Sequence, residues 1–334
     1  MTQLAIGIDI GGTKVAGGTV APDGAVLARA RRDTPHRSMS PDVVENTIVE
    51  VVDELVAQVA EQSLGEVIAV GIGAAGFVAA DRATVAFAPH LSWRDEPLRA
   101  ALARRVAVPI TVDNDANAAA WAEWKFGAAR GETHVMIVNL GTGIGGGIVT
   151  DGHVQRGRFG IAGEFGHMQV VPNGLRCECG NKGCWEQYAS GNALVREARD
   201  LIQARSPVAN DLLAAVGGDP SALTGPLITA AAQNGDPTAV ELLAEIGSWL
   251  GVGMANLAAA FDPGTFVIGG GVSAAGPLLL DPARETFRRQ LTGRGYRPEA
   301  QIVAAELGNE AGLIGAADLA RIDVHQSERT ATGR

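Results

Sequence analysis

The sequence predicts an α/β protein of two domains related by internal duplication. Three observations carry this. Apolar runs of strand length alternate with helical segments, the pattern of buried sheets covered by helices. A strand–glycine turn–strand unit near the N-terminus returns about 130 residues later, a spacing that indicates a duplicated domain rather than a solenoid. The 44 glycines among 334 residues fall in short clusters at the ends of apolar runs, so their excess marks tight turns and not low complexity.

The elements follow in order. Residues 4–10 form an apolar run that ends around Asp9 and meets Gly11-Gly12. Residues 15–20 form a second run, and Pro22-Asp23-Gly24 turns the chain into a third strand over 25–30. Ser40 and Pro41 open an amphipathic helix to about residue 62, with Ser40 at the N-cap and Pro41 in the first turn. A buried strand over 67–73, a helix over 96–105, a strand over 106–112 and a helix over 116–126 follow, the last closed by Gly127. Near residue 135 the opening pattern returns, with a strand to Leu140, two glycine turns and a second Asp-Gly turn at Asp151-Gly152. Aligning Asp9 with Asn139 places Gly11 on Gly141. A long helix over 237–261, a short strand over 265–268 running into Gly269-Gly270-Gly271, and a helix over 310–320 complete the chain. Residues 206–225 carry little pattern, and the last ten residues read as a frayed polar tail. The expected division is a small α/β domain over 1–112, joined by the C-terminal helix at 310–325, and a large α/β domain over 113–309.

Composition narrows the function. A charged fraction of 19% is too low for a disordered or coiled-coil chain. A net charge of -10 argues against a nucleic-acid backbone as the main ligand. The N-terminus has no basic segment leading into an apolar one, and no apolar run approaches the roughly 20 residues that span a bilayer. The expectation is a soluble cytoplasmic protein with neither a membrane nor a nucleic-acid partner. The three cysteines lie within eight residues, which is no disulfide framework.

Five motifs carry chemistry. Asp9-Ile10-Gly11-Gly12-Thr13-Lys14 ends a buried strand, where glycines let backbone N–H groups approach an anion and Thr13 and Lys14 add donors. Asp9 at the strand end suits a water of a phosphate-bound Mg²⁺. The spacing is neither that of a Walker A loop nor of a GxGxxG turn before a helix. Leu140-Gly141-Thr142-Gly143, followed by Gly145-Gly146-Gly147, is the second such turn, and Gly269-Gly270-Gly271 is a third junction against which an adenine ring can lie. Together they suggest a cleft that clamps a nucleotide. Asp113-Asn114-Asp115 stands at the C-terminal end of a strand, where side chains of α/β sheets meet ligands. From this triplet alone, Asp115 suits equally a base for a hydroxyl proton and a cap for the helix that follows. Cys177, Cys179 and Cys184, with His167 ten residues upstream, supply the four donors of a closed structural Zn²⁺ site. Glu164 and Glu186 flank that cluster. The five tryptophans read mainly as core.

These motifs, with Glu164-Phe165-Gly166-His167 and Cys184-Trp185-Glu186, together resemble the ROK family of sugar kinases and sugar-responsive repressors. The resemblance runs from Ile6 to about Ala320 and implies the actin-like ATPase fold, ribonuclease H-like in each half, with a central cleft and a zinc knuckle. Within the family, the segments over 71–76, 114–121 and 184–191 resemble glucose-phosphorylating members from actinobacteria. The resemblance implies transfer of the ATP γ-phosphate to the sugar 6-hydroxyl with Asp115 as general base. It implies that Gly76, Asn114, Glu164, His167 and Glu186 hold the sugar. It sets Gly11, Gly12, Thr13, Lys14, Thr142 and Gly143 along the phosphates, Asp9 toward Mg²⁺, and Gly270 and Gly271 near the adenosine. His167 would face zinc with one ring nitrogen and the sugar with the other. Relatives are commonly dimers or tetramers. One departure is His90, in the segment bordering the sugar, where many relatives are expected to carry Asn. Other readings in the family are a kinase for another hexose or N-acetylhexosamine, a polyphosphate donor, and a repressor, the last requiring a DNA-binding region before the first strand. An actin-like assembly ATPase would need neither the cysteine cluster nor Asn114-Asp115.

Overall fold

The computed structural model describes residues 2–331. The first strands are β1 (Gln3–Ile10), β2 (Lys14–Val20) and β3 (Val26–Asp33), followed by helix α1 (Pro41–Glu61) and β4 (Glu66–Ala74). Three short strands follow, β5 (Phe77–Val78), β6 (Val85–Phe87) and β7 (Arg94–Glu96). Next come α2 (Leu98–Leu102), β8 (Ile110–Asn114) and α3 (Asp115–Lys125). The second half has β9 (His134–Leu140), β10 (Ile144–Thr150), β11 (His153–Val154), α4 (Glu186–Ala189), α5 (Gly191–Gln203), α6 (Asn210–Ala215), α7 (Gly225–Gln233) and α8 (Pro237–Phe261). It closes with β12 (Thr265–Gly269), α9 (Pro277–Gln290), β13 (Gln301–Ala304) and α10 (Ala311–Ala331).

The two large sheets have matching strand orders, β3-β2-β1-β4-β8 and β11-β10-β9-β12-β13. Each opens with the strands that flank a glycine turn, so the repeat seen in the sequence is a repeat of topology. In the first sheet β1 runs antiparallel to β2 and parallel to β4, with Asp9 paired to Gly73. Ile6, Ile8 and Ile10 alternate onto one face, where Val44, Ile48, Val51 and Leu55 of α1 are buried against them. The other face carries Ala5 and Ala69 under Leu313, Ile314 and Ala317 of α10. That helix sits directly on backbone: a Cβ at Gly7 would strike the Leu313 carbonyl oxygen, and one at Gly71 the Ala316 carbonyl oxygen.

The chain divides into two compact units. One comprises residues 1–133, 147–163 and 306–334, the other 134–146 and 164–305. The expected boundary after 112 therefore falls inside the first unit. The physical reason is α3, which packs on α10 and β4, with the Trp121 indole and the Lys125 ammonium both donating to Asp318 at 2.7 and 2.6 Å.

Several expected elements shift. The helix over 96–105 shrinks to Leu98–Leu102, because Arg94–Glu96 pairs with β6. The strand over 106–112 begins at Ile110, after Pro109, and extends through Asn114. Asn114 caps α3 by accepting from the Asn117 N–H at 3.0 Å, so the cap reading of Asp115 falls away. Ser40 does precede α1, but its side chain makes no cap bond. The C-terminal helix continues to Ala331, well into the segment expected to fray, whose last three residues lie outside the described ones. Helix α8 is long and apolar enough to cross a membrane by length and composition, against the expectation that no such run exists. It is a core helix: Leu242, Leu243, Ile246, Leu250, Met254 and Leu257 are buried, and it packs along α9.

Candidate active site

In the first unit, the turn between β1 and β2 is fixed by hydrogen bonds to its own carbonyls. The Thr34 hydroxyl donates to Gly11 O at 2.7 Å, and the Thr34 N–H to Thr13 O at 3.1 Å. Gly12 and Thr13 are exposed, and neither N–H has an acceptor among the described residues. Held carbonyls and open N–H groups make a cradle for an anion. Asp9 stands at the base of this turn. Burial, then the nearby Asp115 carboxylate, raises its pKa to about 7 against the opposing pull of Lys14.

Asp115 opens α3 on the neighbouring strand end, with its Cα 3.4 Å from where a Cβ on Gly73 would stand. Gly73 is the residue that pairs with Asp9, so the two carboxylates occupy adjacent strand ends. Burial also raises the Asp115 pKa, although hydrogen bonds from the N–H groups of Ala116 and Asp115 oppose it. A carboxyl pushed up in this way suits a general base. The Asn114 amide donates to Gly76 O at 3.0 Å, which leaves its second N–H for a ligand. Gly76 has φ +157°, and a Cβ there would meet Phe87 O and Ala88.

Sequence reading missed the support behind these residues. Asp113 is buried, and its Oδ2 accepts from Arg156 Nε at 2.9 Å and Nη2 at 2.6 Å. The Arg82 Nε lies 3.3 Å from the same oxygen. Asp113 Oδ1 takes the Asn114 N–H at 3.0 Å and the Asn117 amide at 3.3 Å. The only local signal was a carboxylate at a strand end. Its two arginines lie 31 and 43 residues away, in turns with no pattern of their own.

In the second unit, the Gly141–Gly143 turn is fixed the same way. Gly141 O accepts from the Gly191 N–H at 2.9 Å and Thr142 O from the Asn192 N–H at 3.3 Å, both in the first turn of α5. The third glycine junction stands behind it: Gly270 has φ +82°, and a Cβ there would lie 2.5 Å from Leu140 O. The Ser273 hydroxyl donates to Gly270 O at 2.7 Å.

The cysteine cluster assembles as the spacing suggested. One donor atom each from His167, Cys177, Cys179 and Cys184 lies within 4.8 Å of the others. His167 Nδ1 is 3.6 Å from Cys177 Sγ, and Cys179 Sγ is 3.6 Å from Cys184 Sγ. Donors about 2.0–2.3 Å from one tetrahedral zinc stand roughly 3.3–3.8 Å apart, the range of the two 3.6 Å pairs, and three thiols with an imidazole are the donor chemistry of such a site. Burial and the Glu186 carboxylate push the Cys177 thiol well above its ordinary range. A bound cation reverses that, since a coordinated thiol is deprotonated. Trp185, fully buried, ties this loop to α8 by donating to Trp249 O at 2.8 Å. Glu186 is half-buried between two of the predicted motifs. Its Oε1 lies 3.4 Å from His167 Nδ1, and its Oε2 2.5 Å from the Cβ position of Gly143. Glu164 precedes the short turn Phe165–His167 and accepts the His167 N–H on its carbonyl at 3.2 Å.

A mixed α/β fold with paired glycine-turn hairpins and buried carboxylates at the strand ends is that of the sugar kinases. The chain belongs to the ROK family, whose profile matches residues 5–322. It is 49% identical over 318 residues to the glucokinase of Streptomyces coelicolor, covering 95% of this chain and 98% of that protein. The Thermotoga maritima glucokinase is 35% identical over 316 residues, 94% of this chain and 96% of that one. Among solved structures, a ROK family glucokinase from Streptomyces griseus in complex with glucose and AMPPNP matches with a TM-score of 0.84 at 50% identity. That match covers 95% of this chain and 99% of the other.

Proposed function

We propose that this chain is an ATP-dependent glucokinase that transfers the γ-phosphoryl group to the 6-hydroxyl of glucose. The observation that carries the reading is the Asp115 carboxyl, raised by burial and set on the strand end beside the Asp9 turn. Similarity to glucokinases over nearly the whole chain supports the same substrate pair. Asp115 accepts the 6-hydroxyl proton as O6 bonds to phosphorus and the bond to ADP breaks. Positioning and charge stabilisation supply most of the catalysis in such a transfer. Asn114, Gly76, Glu164, His167 and Glu186 hold the sugar hydroxyls. Gly11, Gly12, Thr13, Lys14, Thr142 and Gly143 take the phosphates, and Gly270 and Gly271 lie toward the adenosine. Asp9 is the residue for Mg²⁺, whose charge offsets that of the phosphates. His167, Cys177, Cys179 and Cys184 hold a structural zinc, which fixes the loop carrying Glu186. The duplicated sheets support an actin-like ATPase fold. By family resemblance the enzyme works in the cytoplasm, in glycolysis, as a dimer or tetramer.

The test is ADP release with MgATP across hexoses and N-acetylhexosamines, repeated with polyphosphate as donor. The expected result is preference for glucose and for ATP. Preference for another sugar would move the assignment within the family, and no turnover with any sugar would overturn the kinase reading.

A further inference from the structure

The segment expected to border the sugar sets its histidine against the first glycine turn. Residues 88–93 form a compact bend between β6 and β7, anchored from below. Trp93 and Leu91 are buried. The Arg94 guanidinium donates to Ala88 O at 3.0 Å, Leu91 O at 3.4 Å and Trp93 O at 2.6 Å. Only Pro89 and His90 reach the surface at its crest. His90 stands over the first glycine turn: a Cβ on Gly12 would lie 3.1 Å from His90 Cβ, 3.3 Å from Cγ and 3.7 Å from Cδ2. The imidazole has no hydrogen-bond partner among the described residues. It stands beside Gly12, whose N–H is open.

We propose that His90 is a ligand of the transferred phosphoryl group. Its ring N–H donates to the γ-phosphoryl oxygens of ATP and then to the phosphate of the hexose 6-phosphate product. This rests on the reading of Asp9–Lys14 as the phosphate turn. The argument for the γ position is geometric. Asp115 must stand beside the hydroxyl that attacks phosphorus, and Asp9, at the foot of this turn, is on the adjacent strand end. The phosphate nearest those carboxylates is therefore the one transferred, and Gly12, with His90 against it, belongs to the turn that starts from Asp9. An imidazole N–H donating to a phosphate oxygen makes a charge-assisted bond, among the stronger hydrogen bonds available.

The experiment compares His90→Ala and His90→Asn with the unaltered chain. Calorimetry measures binding of AMPPNP and of ADP, each with Mg²⁺ and without sugar. Steady-state kinetics measure the KM values for ATP and glucose. His90 is exposed, so both variants should melt as the parent does. The expected result for His90→Ala is AMPPNP binding weakened by about 10-fold or more, the loss of one such bond. ADP, which lacks the γ-phosphate, should bind within about 2-fold of the parent. Asn, a shorter donor, should restore binding in part. Equal weakening of ADP and AMPPNP overturns the γ-phosphate contact. So does a change confined to the glucose KM, which would make His90 a sugar residue. Parent protein that binds AMPPNP but phosphorylates no glucose defeats the glucokinase reading alone, while parent protein that binds no AMPPNP defeats both.

Discussion

Replacing Arg156 with Met should destabilise the first unit and slow the enzyme at once. The side chain donates twice to one oxygen of Asp113, whose side chain is only 4% exposed. Met keeps most of the aliphatic volume and removes both charge-assisted bonds. Breaking one arm of a buried pair costs about 3–5 kcal/mol, because the remaining charge stays desolvated. Arg82 still faces Asp113 at 3.3 Å, so the lower figure applies, about 3 kcal/mol. At about 2–4 °C per kcal/mol, the melting temperature should fall by roughly 6–12 °C. Asp113 also orients the Asn114 N–H and the Asn117 amide. Loosening that junction should lower kcat by about 10-fold, since small misplacements of reacting groups are costly. The assay is thermal unfolding of Arg156→Met, Asp113→Asn and the double variant, with kcat at a temperature where all are folded. The double variant should be more stable than Arg156→Met alone, because the buried carboxylate that lost its two-bond partner is gone. A melting shift under about 2 °C, or strict additivity of the two losses, would refute the reasoning.

Three further outcomes are expected. Asp115→Asn should lower kcat by at least about 10² with the melting temperature intact, measured by ADP release; near-normal kcat would exclude it as the base. Asp9 titrates near 7 when folded and near 3.8 when unfolded, so the folded state holds the extra proton between those values. Stability from this group is therefore present at low pH and lost as pH rises from about 4 to 7. Accordingly, Asp9→Asn should raise the melting temperature at pH 8 and leave it unchanged near pH 4, while ATP turnover is lost. Metal analysis should find about one zinc per chain, and chelation should lower the melting temperature before it affects helix content.

What the sequence made legible depended on locality. The glycine turns were readable because tight turns place their demands on consecutive residues. The cysteine cluster was readable because three of its four donors fall within eight positions. The strands β5, β6 and β7 were not, since runs of two or three residues carry no period. Glu96 looked like a helix start and instead ends an edge strand against Val85. The Asp113 cluster was hidden for a different reason. Arg82, Asp113 and Arg156 meet only when three separate segments fold together, and Asp323 of α10 takes a further bond from Arg82 at 2.8 Å. Asn114 shows both limits: its place at a strand end could be read, but its double engagement as helix cap and as donor to Gly76 could not.

The lid on the first sheet is α10, the last helix among the described residues. Residues 311–331 cover Ala5, Gly7, Ala69 and Gly71, which are made some 240 or more residues earlier. During synthesis, the N-terminal strands must therefore wait for residues 311–331 to leave the ribosome before that face is dry. Until then the nascent chain displays the apolar face that carries Ala5, Val20 and Ala69, and transiently exposed apolar surface is prone to aggregate. A ribosome that stalls after residue 305 releases a chain with a nearly complete second unit and an uncapped first one.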